Sequence, residues 1–236
     1  MQSASSIDVF CVFPEAVEAM LGVGVVGRAV ERGVVGLRCF DLRRFAPDGR
    51  IDDMPYGGGA GMVVRVDVIA RALEEVYGIP ARRVRESREV LVTEPGGRTF
   101  EQQYARELAG GLSEGRGLTL ICGRYGGLDE RVRSELASGA ISVGDFVLSG
   151  GEIAAAAVSD SVIRLLDGVL GNSESLVGES FSAEEPDVLG PPQYTRPAEW
   201  DGEAVPVVLL SGNHAEIRRW REREARARSG MRDGAS

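Results

Sequence analysis

At 236 residues, 43% hydrophobic and 27% charged, the chain has the composition of a globular protein with room for one large domain or two smaller ones, not of a disordered or fibrous chain. The formal charge is −9 and every basic residue but His214 is arginine, so a nucleic-acid partner has to meet a local cluster of arginines rather than a basic protein as a whole. Cys11, Cys39 and Cys122 with the single His214 show no zinc-ligand spacing, no apolar run reaches the length of a membrane helix, and MQSASSIDVF lacks the pattern of a secretion signal; the expectation is a cytoplasmic protein with no metal site and no membrane partner.

Residues 7–13 (IDVFCVF) predict a first strand, and Pro14 with Glu15 predicts a helix start, since proline loses nothing at the first helical position. Residues 34–40 (VVGLRCF) predict a second strand. The following RRFAPDGRIDDMPYGGGAGM has no periodicity and reads as a loop. Over residues 66–77, Val66, Ile69, Ala70, Leu73, Val76 and Tyr77 share one helical face. EVLVT at 89–93 and LTLIC at 118–122 are β-rich runs ahead of glycine-containing turns, with Phe100, Tyr104 and Leu108 at helical spacing between them. Strands alternating with helices point to an α/β domain with a largely parallel sheet.

A helix is expected from Glu152 to Leu166, with an apolar face of Ala155, Val158, Val162 and Leu166. Residues 167–203 are rich in Gly, Ser, Glu and Pro and read as a linker. Asn213 followed by Glu216 has the form of a helix cap with a reciprocal partner. Residues 216–236 hold seven arginines against four acidic residues; half of this tail reads as a solvated helix, and SGMRDGAS as disordered.

Five segments in order, DDMPYGGGAGM (Asp52–Met62), CGRYGGLDER (Cys122–Arg131), SVGDFVLSGGE (Ser142–Glu152), QYTRP (Gln193–Pro197) and LLSGNHAEIRRWR (Leu209–Arg221), together resemble the bacterial tRNA (guanine-N1)-methyltransferase family, over about residues 7 to 224. The resemblance implies a SPOUT fold: a mainly parallel sheet with a C-terminal trefoil knot, then a small, mostly helical domain. The domains implied are a catalytic and cofactor-binding domain over 1–167, a linker over 168–186 that carries the base, and a reduced tRNA-binding domain over 187–236. It further implies S-adenosylmethionine as cofactor, tRNA with guanine 37 as substrate, magnesium as an assisting ion, and a homodimer with active sites at the interface; DNA is not an implied partner.

The implied reaction moves a methyl group to N1 of the guanine at position 37, just 3′ of the anticodon. N1 carries a proton at neutral pH, so a base must remove it and donors must meet the charge that develops at O6. The resemblance places the base at Glu179, where the family has aspartate, and the donor at Arg164. It places the cofactor against Thr93, Glu94, Pro95 and Gly97, against Gly123 and Tyr125, and against Ser142, Val143, Gly144, Phe146, Leu148, Gly150 and Gly151. The RNA falls to Asp53, Tyr56, Gly57, Gly58, Gly59 and Arg124, and farther along to Arg196, Asn213, His214, Arg218 and Arg219. This chain departs from the family at Glu94 (serine there), Gly126 (glutamate there), Ala154 (proline there) and in its shorter C-terminus. Two alternatives stay open on sequence alone: a SPOUT enzyme for another RNA base, and a cofactor- or RNA-binding homologue with little catalysis.

Overall fold

The computed structural model describes residues 5–170 and 179–233, with side chains as far as Met231. Contacts divide the chain into two compact units, Met1–Gly171 and Asn172–Ser236.

The first unit is an α/β domain around a five-stranded parallel sheet. Its strands are β1 (Ser6–Cys11), β2 (Gly36–Asp41), β5 (Arg88–Thr99), β6 (Gly117–Cys122) and β7 (Gly139–Ser142), in the order β2-β1-β6-β5-β7. Alternate residues of a strand point to opposite faces, and the sequence uses both. Ile7, Val9, Leu91, Leu118 and Leu120 enter one core with helices α1 (Pro14–Leu21), α2 (Gly24–Glu31), α5 (Gln102–Ser113) and α6 (Glu152–Ile163). Phe10, Val90, Val92 and Ile121 enter the other, with α3 (Val66–Tyr77) and the short α4 (Val84–Ser87). Helices therefore cover both faces, as a parallel sheet requires.

Most predicted elements lie where expected, with instructive shifts. The α3 bounds agree with the prediction, but its fully buried residues are Val68, Ile69, Ala72 and Leu73, with Tyr77 only partly buried. Tyr77 instead turns its hydroxyl to the fully buried Asp8, 2.9 Å away. The α6 helix buries Ala154, Ala156, Ser159 and Ile163 as well as the expected Ala155, Val158 and Val162, so it has no solvent stripe of ordinary width. The 43–62 loop is framed by a two-residue hairpin, β3 (Asp52–Asp53) with β4 (Val63–Val64).

The second unit holds a hairpin of β8 (Glu199–Trp200) and β9 (Glu203–Ala204), one turn of helix α7 (Val207–Leu210), and the long α8 (His214–Asp233). The helix runs into the tail expected to be disordered, as far as Asp233; the remaining residues of SGMRDGAS, 234–236, lie outside the described residues. The cap is half of what the spacing promised: Asn213 Oδ1 accepts from the Glu216 N–H at 3.3 Å, while the Asn213 N–H is met by Ser211 Oγ at 3.1 Å rather than by Glu216.

Candidate functional site

Ligands of open α/β sheets bind beyond the carboxyl ends of the strands, where strand order reverses. Here three connections meet at that place, off β5, β6 and β7, around a cleft of about 270 Å³. The β5 contribution comes from a bulge. Thr93 and Arg98 both pair with Ile141, so the four residues between them are pushed out of the ladder, and Glu94 and Pro95 reach the cleft wall. Every residue the sequence assigned to the cofactor lines this cleft except Gly97. Gly97 lies where a side chain would collide with the Ile141 backbone, so its glycine serves the packing of β5 against β7. Gly126 and Ala154, marked in the sequence only as departures from the family, also line the cleft, as do Val92, Gly127, Leu128, Ile141, Val147 and Ser149, which the sequence reading did not assign; Gly127, Leu128, Val147 and Ser149 lie within the quoted motifs, and reading each motif in full would have found them.

Close backbone contacts hold the three connections together. The Gly151 N–H donates to Gly123 O at 2.9 Å. A Cβ at Gly151 would collide with Thr93 Oγ1 and lie 2.9 Å from Cys122 Cα, so α6 starts directly on the ends of β5 and β6 only because that residue is glycine. The Ser142 hydroxyl is used within its own turn, donating to Gly144 O at 3.1 Å.

Arg124 braces the cleft as well as lining it. Glu152, 2% exposed, accepts at Oε1 from the Arg124 Nε–H at 3.2 Å and from the Val12 N–H at 3.3 Å. Its Oε2 lies 3.2 Å from the same Nε without a hydrogen bond of its own. The Arg124 guanidinium also lies 4.5 Å from the Phe13 ring centroid. Expected as an RNA contact, Arg124 thus joins the β1 end, the β6 connection and the start of α6. Glu94 pairs with Arg133 at 3.2 Å, and Arg133 also meets Glu130 at 3.5 Å. Burial raises the Cys122 thiol well above its ordinary range, and Cys11 likewise, so both stay protonated and neither is a nucleophile behind the cleft.

The glycine-rich loop assigned to the RNA leaves β3 at Asp53, whose Oδ1 accepts from the Met54 N–H at 2.7 Å. Tyr56 is fully exposed, and Gly57, Gly58 and Gly59 have φ of 87°, 77° and 129°, a region that side chains resist. The returning strand is stitched to the cleft: Gly126 N–H to Met62 O at 2.7 Å, Val64 N–H to Gly127 O at 3.0 Å, Asp129 N–H to Val64 O at 3.0 Å. A Cβ at 126 would lie 2.8 Å from Met62 O, which accounts physically for glycine there. The loop and one cleft wall are a single hydrogen-bonded piece.

Arg164 stands at the C-terminal end of α6, half-buried, its backbone N–H on Asp160 O at 3.1 Å. Glu179, half-buried, belongs to the second unit, as do Arg196, Asn213, His214, Arg218 and Arg219, all exposed. Among the described residues, no three His, Cys, Asp or Glu side chains gather as a metal site, and no helix is long and apolar enough to cross a membrane.

The family model described as "tRNA (Guanine-1)-methyltransferase TrmD" matches residues 5–233. A protein of Koribacter versatilis named tRNA (guanine-N(1)-)-methyltransferase is 49% identical over 234 residues, covering 93% of this chain and 87% of its own. Proteins of the same name from Cereibacter sphaeroides and Persephonella marina are 46% and 45% identical, covering 95% and 90% of this chain and 88% and 80% of theirs.

Proposed function

The chain belongs to the tRNA (guanine-1)-methyltransferase family, and from that premise we propose that it transfers a methyl group from S-adenosylmethionine to N1 of guanine 37 in tRNA. The observation that carries the reading is the cleft at the ends of β5, β6 and β7, hydrogen-bonded along one wall to the exposed Asp53–Met62 loop. A cofactor cleft and a substrate loop built as one piece suit a reaction that joins two ligands.

The donor set of the cleft fits S-adenosylmethionine. Phe146 and Leu148 offer an apolar wall to a flat base, and Gly123, Gly150 and Gly151 let peptide groups approach polar atoms closely. When bound, this cofactor supplies a methyl group on a sulfonium centre, open to direct displacement. In the mechanism we infer, Glu179 accepts the N1 proton of guanine and Arg164 donates to O6, where negative charge develops. Asp53, Tyr56 and Gly57–Gly59 position the base against the cleft. Arg196, Asn213, His214, Arg218 and Arg219 hold the RNA, with the exposed guanidinium groups placed for phosphates. Magnesium assists through the RNA.

The same reading includes a trefoil knot over the β5–α6 segment. Its support is the tight seating of Gly151 against Gly123, Thr93 and Cys122, which packs the last connection against the other two. It also includes a homodimer with the active site at its interface, acting in the cytoplasm. Phe146, Val147 (86% exposed) and Ile153 leave apolar surface at the cleft rim and the first turn of α6, a place for a second copy to cover.

The test is methyl transfer from labelled S-adenosylmethionine to a tRNA carrying guanines at positions 36 and 37, with the product base mapped. N1-methylguanine at position 37, lost in Glu179→Ala, is the expected result. Methylation at another base would overturn the substrate assignment, and an unaffected Glu179→Ala the base assignment.

A further inference from the structure

The second unit has a groove of its own, of about 310 Å³, between the QYTRP segment, α7 and the start of α8. Leu209 and Ile217 give it apolar lining, and the half-exposed Tyr194 lines it as well. The Tyr194 ring is steadied from behind by Trp220, 6.2 Å between centroids. Gln193 brings an amide with donors and an acceptor, and Arg196 and Arg221 bring two exposed guanidinium groups. No carboxylate lines the groove, in a chain whose net charge is −9. Among the described residues neither Arg196 nor Arg221 is held in an ion pair.

An aromatic face, an apolar floor, one amide and two free cations form the recognition set for a single unstacked nucleotide: a π-face to stack on, an edge to hydrogen-bond and a phosphate to neutralise. The volume suits one base with its ribose. Arg218, one helical turn before Arg221 on the same side of α8, extends the positive edge along a backbone path. We propose that this groove is a nucleotide subsite that takes one unstacked nucleotide of the tRNA, its base against Tyr194 and its phosphate between Arg196 and Arg221. The proposal rests on tRNA being the substrate. It adds a second place where the enzyme reads an extruded nucleotide, on a unit separate from the methyl-transfer cleft.

Trp200 and Trp220 are the two tryptophans of the chain, so a Trp200→Phe form of the full protein leaves Trp220, beside Tyr194, as a local reporter. With S-adenosylhomocysteine filling the cofactor cleft, single-stranded hexauridylate is titrated against a hexameric abasic ribose-phosphate. Hexauridylate should change Trp220 emission and bind more tightly than the abasic chain. Tyr194→Ala should weaken it on the order of 5- to 150-fold, the loss of one base–aromatic stack, while Tyr194→Phe should keep it. Arg221→Gln should lower the slope of log affinity against log salt by about 0.7, one phosphate contact. Equal binding of the abasic chain, full affinity in Tyr194→Ala, or equal losses in Tyr194→Phe and Tyr194→Ala would each overturn the proposal. Methyl transfer to tRNA is measured in parallel on the unaltered chain: transfer without an emission change sinks the groove alone, and an emission change without transfer sinks the reaction alone.

Discussion

Replacing Gly126 with alanine tests whether the substrate loop and the cofactor cleft are mechanically one piece. The new Cβ would lie 2.8 Å from Met62 O, a backbone atom that cannot rotate away. To reach ordinary van der Waals separation the two segments must part by roughly 0.5 Å. That movement lengthens the 2.7 Å Gly126–Met62 hydrogen bond and pulls on the Val64–Gly127 pair beside it. Overpacking and a weakened bond together cost about 1–3 kcal/mol, a fall in Tm of roughly 2–10 °C for a protein of this size. The larger effect falls on catalysis. A 1 Å error in placing reacting groups costs on the order of 10²-fold, so half that displacement of the Asp53–Met62 loop should lower kcat for tRNA about 10-fold. Because Gly126 also lines the cleft, cofactor affinity should weaken too, but by less. Stopped-flow turnover on tRNA and calorimetric titration of S-adenosylmethionine separate the two effects. Unchanged kcat in a variant that binds cofactor normally would refute the coupling.

Glu152→Gln removes the charge that holds Arg124 while keeping the side chain's shape; leaving that partly buried guanidinium without a counter-charge should cost about 1–3 kcal/mol in urea unfolding and loosen cofactor binding. Asp8→Asn should destabilise at least as much, since the fully buried carboxylate meets Arg38 at 2.6 Å and Arg88 at 2.8 Å. Those partners sit in the first half of β2 and at the opening end of β5, away from the cleft, so cofactor affinity of the folded Asp8→Asn protein should match that of the parent. Burial, with Glu18 and Asp8 adding to it, pushes the Cys39 thiol from its ordinary 9.0 up to about 12. The unfolded chain then gives up its proton first, so this group's stabilisation is complete below about pH 9 and is lost as pH rises towards 12. Urea midpoints measured across that range should fall less steeply in Cys39→Ala, and an identical slope would show that the thiol stays as accessible in the folded chain as in the unfolded one.

Four of the sheet's five strands were legible because they carry apolar runs, and runs such as IDVFCVF and LTLIC have few other homes than a strand covered on both faces; β7, only four residues long, was not. Orientation was less legible. Tyr77 falls on the apolar face by periodicity, yet its hydroxyl is drawn to Asp8, and a buried carboxylate 69 residues away leaves no local trace. The wide buried face of α6, which leaves only Ile153, Ala157 and Asp160 exposed, follows from neighbours on several sides, whereas periodicity sees one face at a time. Disorder was over-read over residues 229–233 because glycine and polar residues argue against an isolated helix; in the structure Ala225 is buried and Ser229 Oγ accepts from the Leu189 N–H at 2.9 Å, contacts that sequence spacing cannot anticipate.

The cleft shows the same division at finer scale. Glycine clusters after β-rich runs mark places where backbone meets something closely, but not what it meets. At Gly151 and Gly97 the neighbour is the protein itself, and any side chain would break the seating of α6 or β7. At Gly57–Gly59 a Cβ would meet no protein atom within 4 Å, and it is the positive φ that calls for glycine. One group of glycines therefore builds the cleft, and the other shapes the exposed loop at its edge. Gly126 belongs to the first group and joins it to the second: its N–H reaches Met62, at the foot of the substrate loop. In sequence, the resemblance marks it only as a departure, glycine where the family has glutamate. In the structure that position is one where two connecting segments touch, and a residue with a Cβ there would have to be accommodated by moving the loop that the substrate must meet.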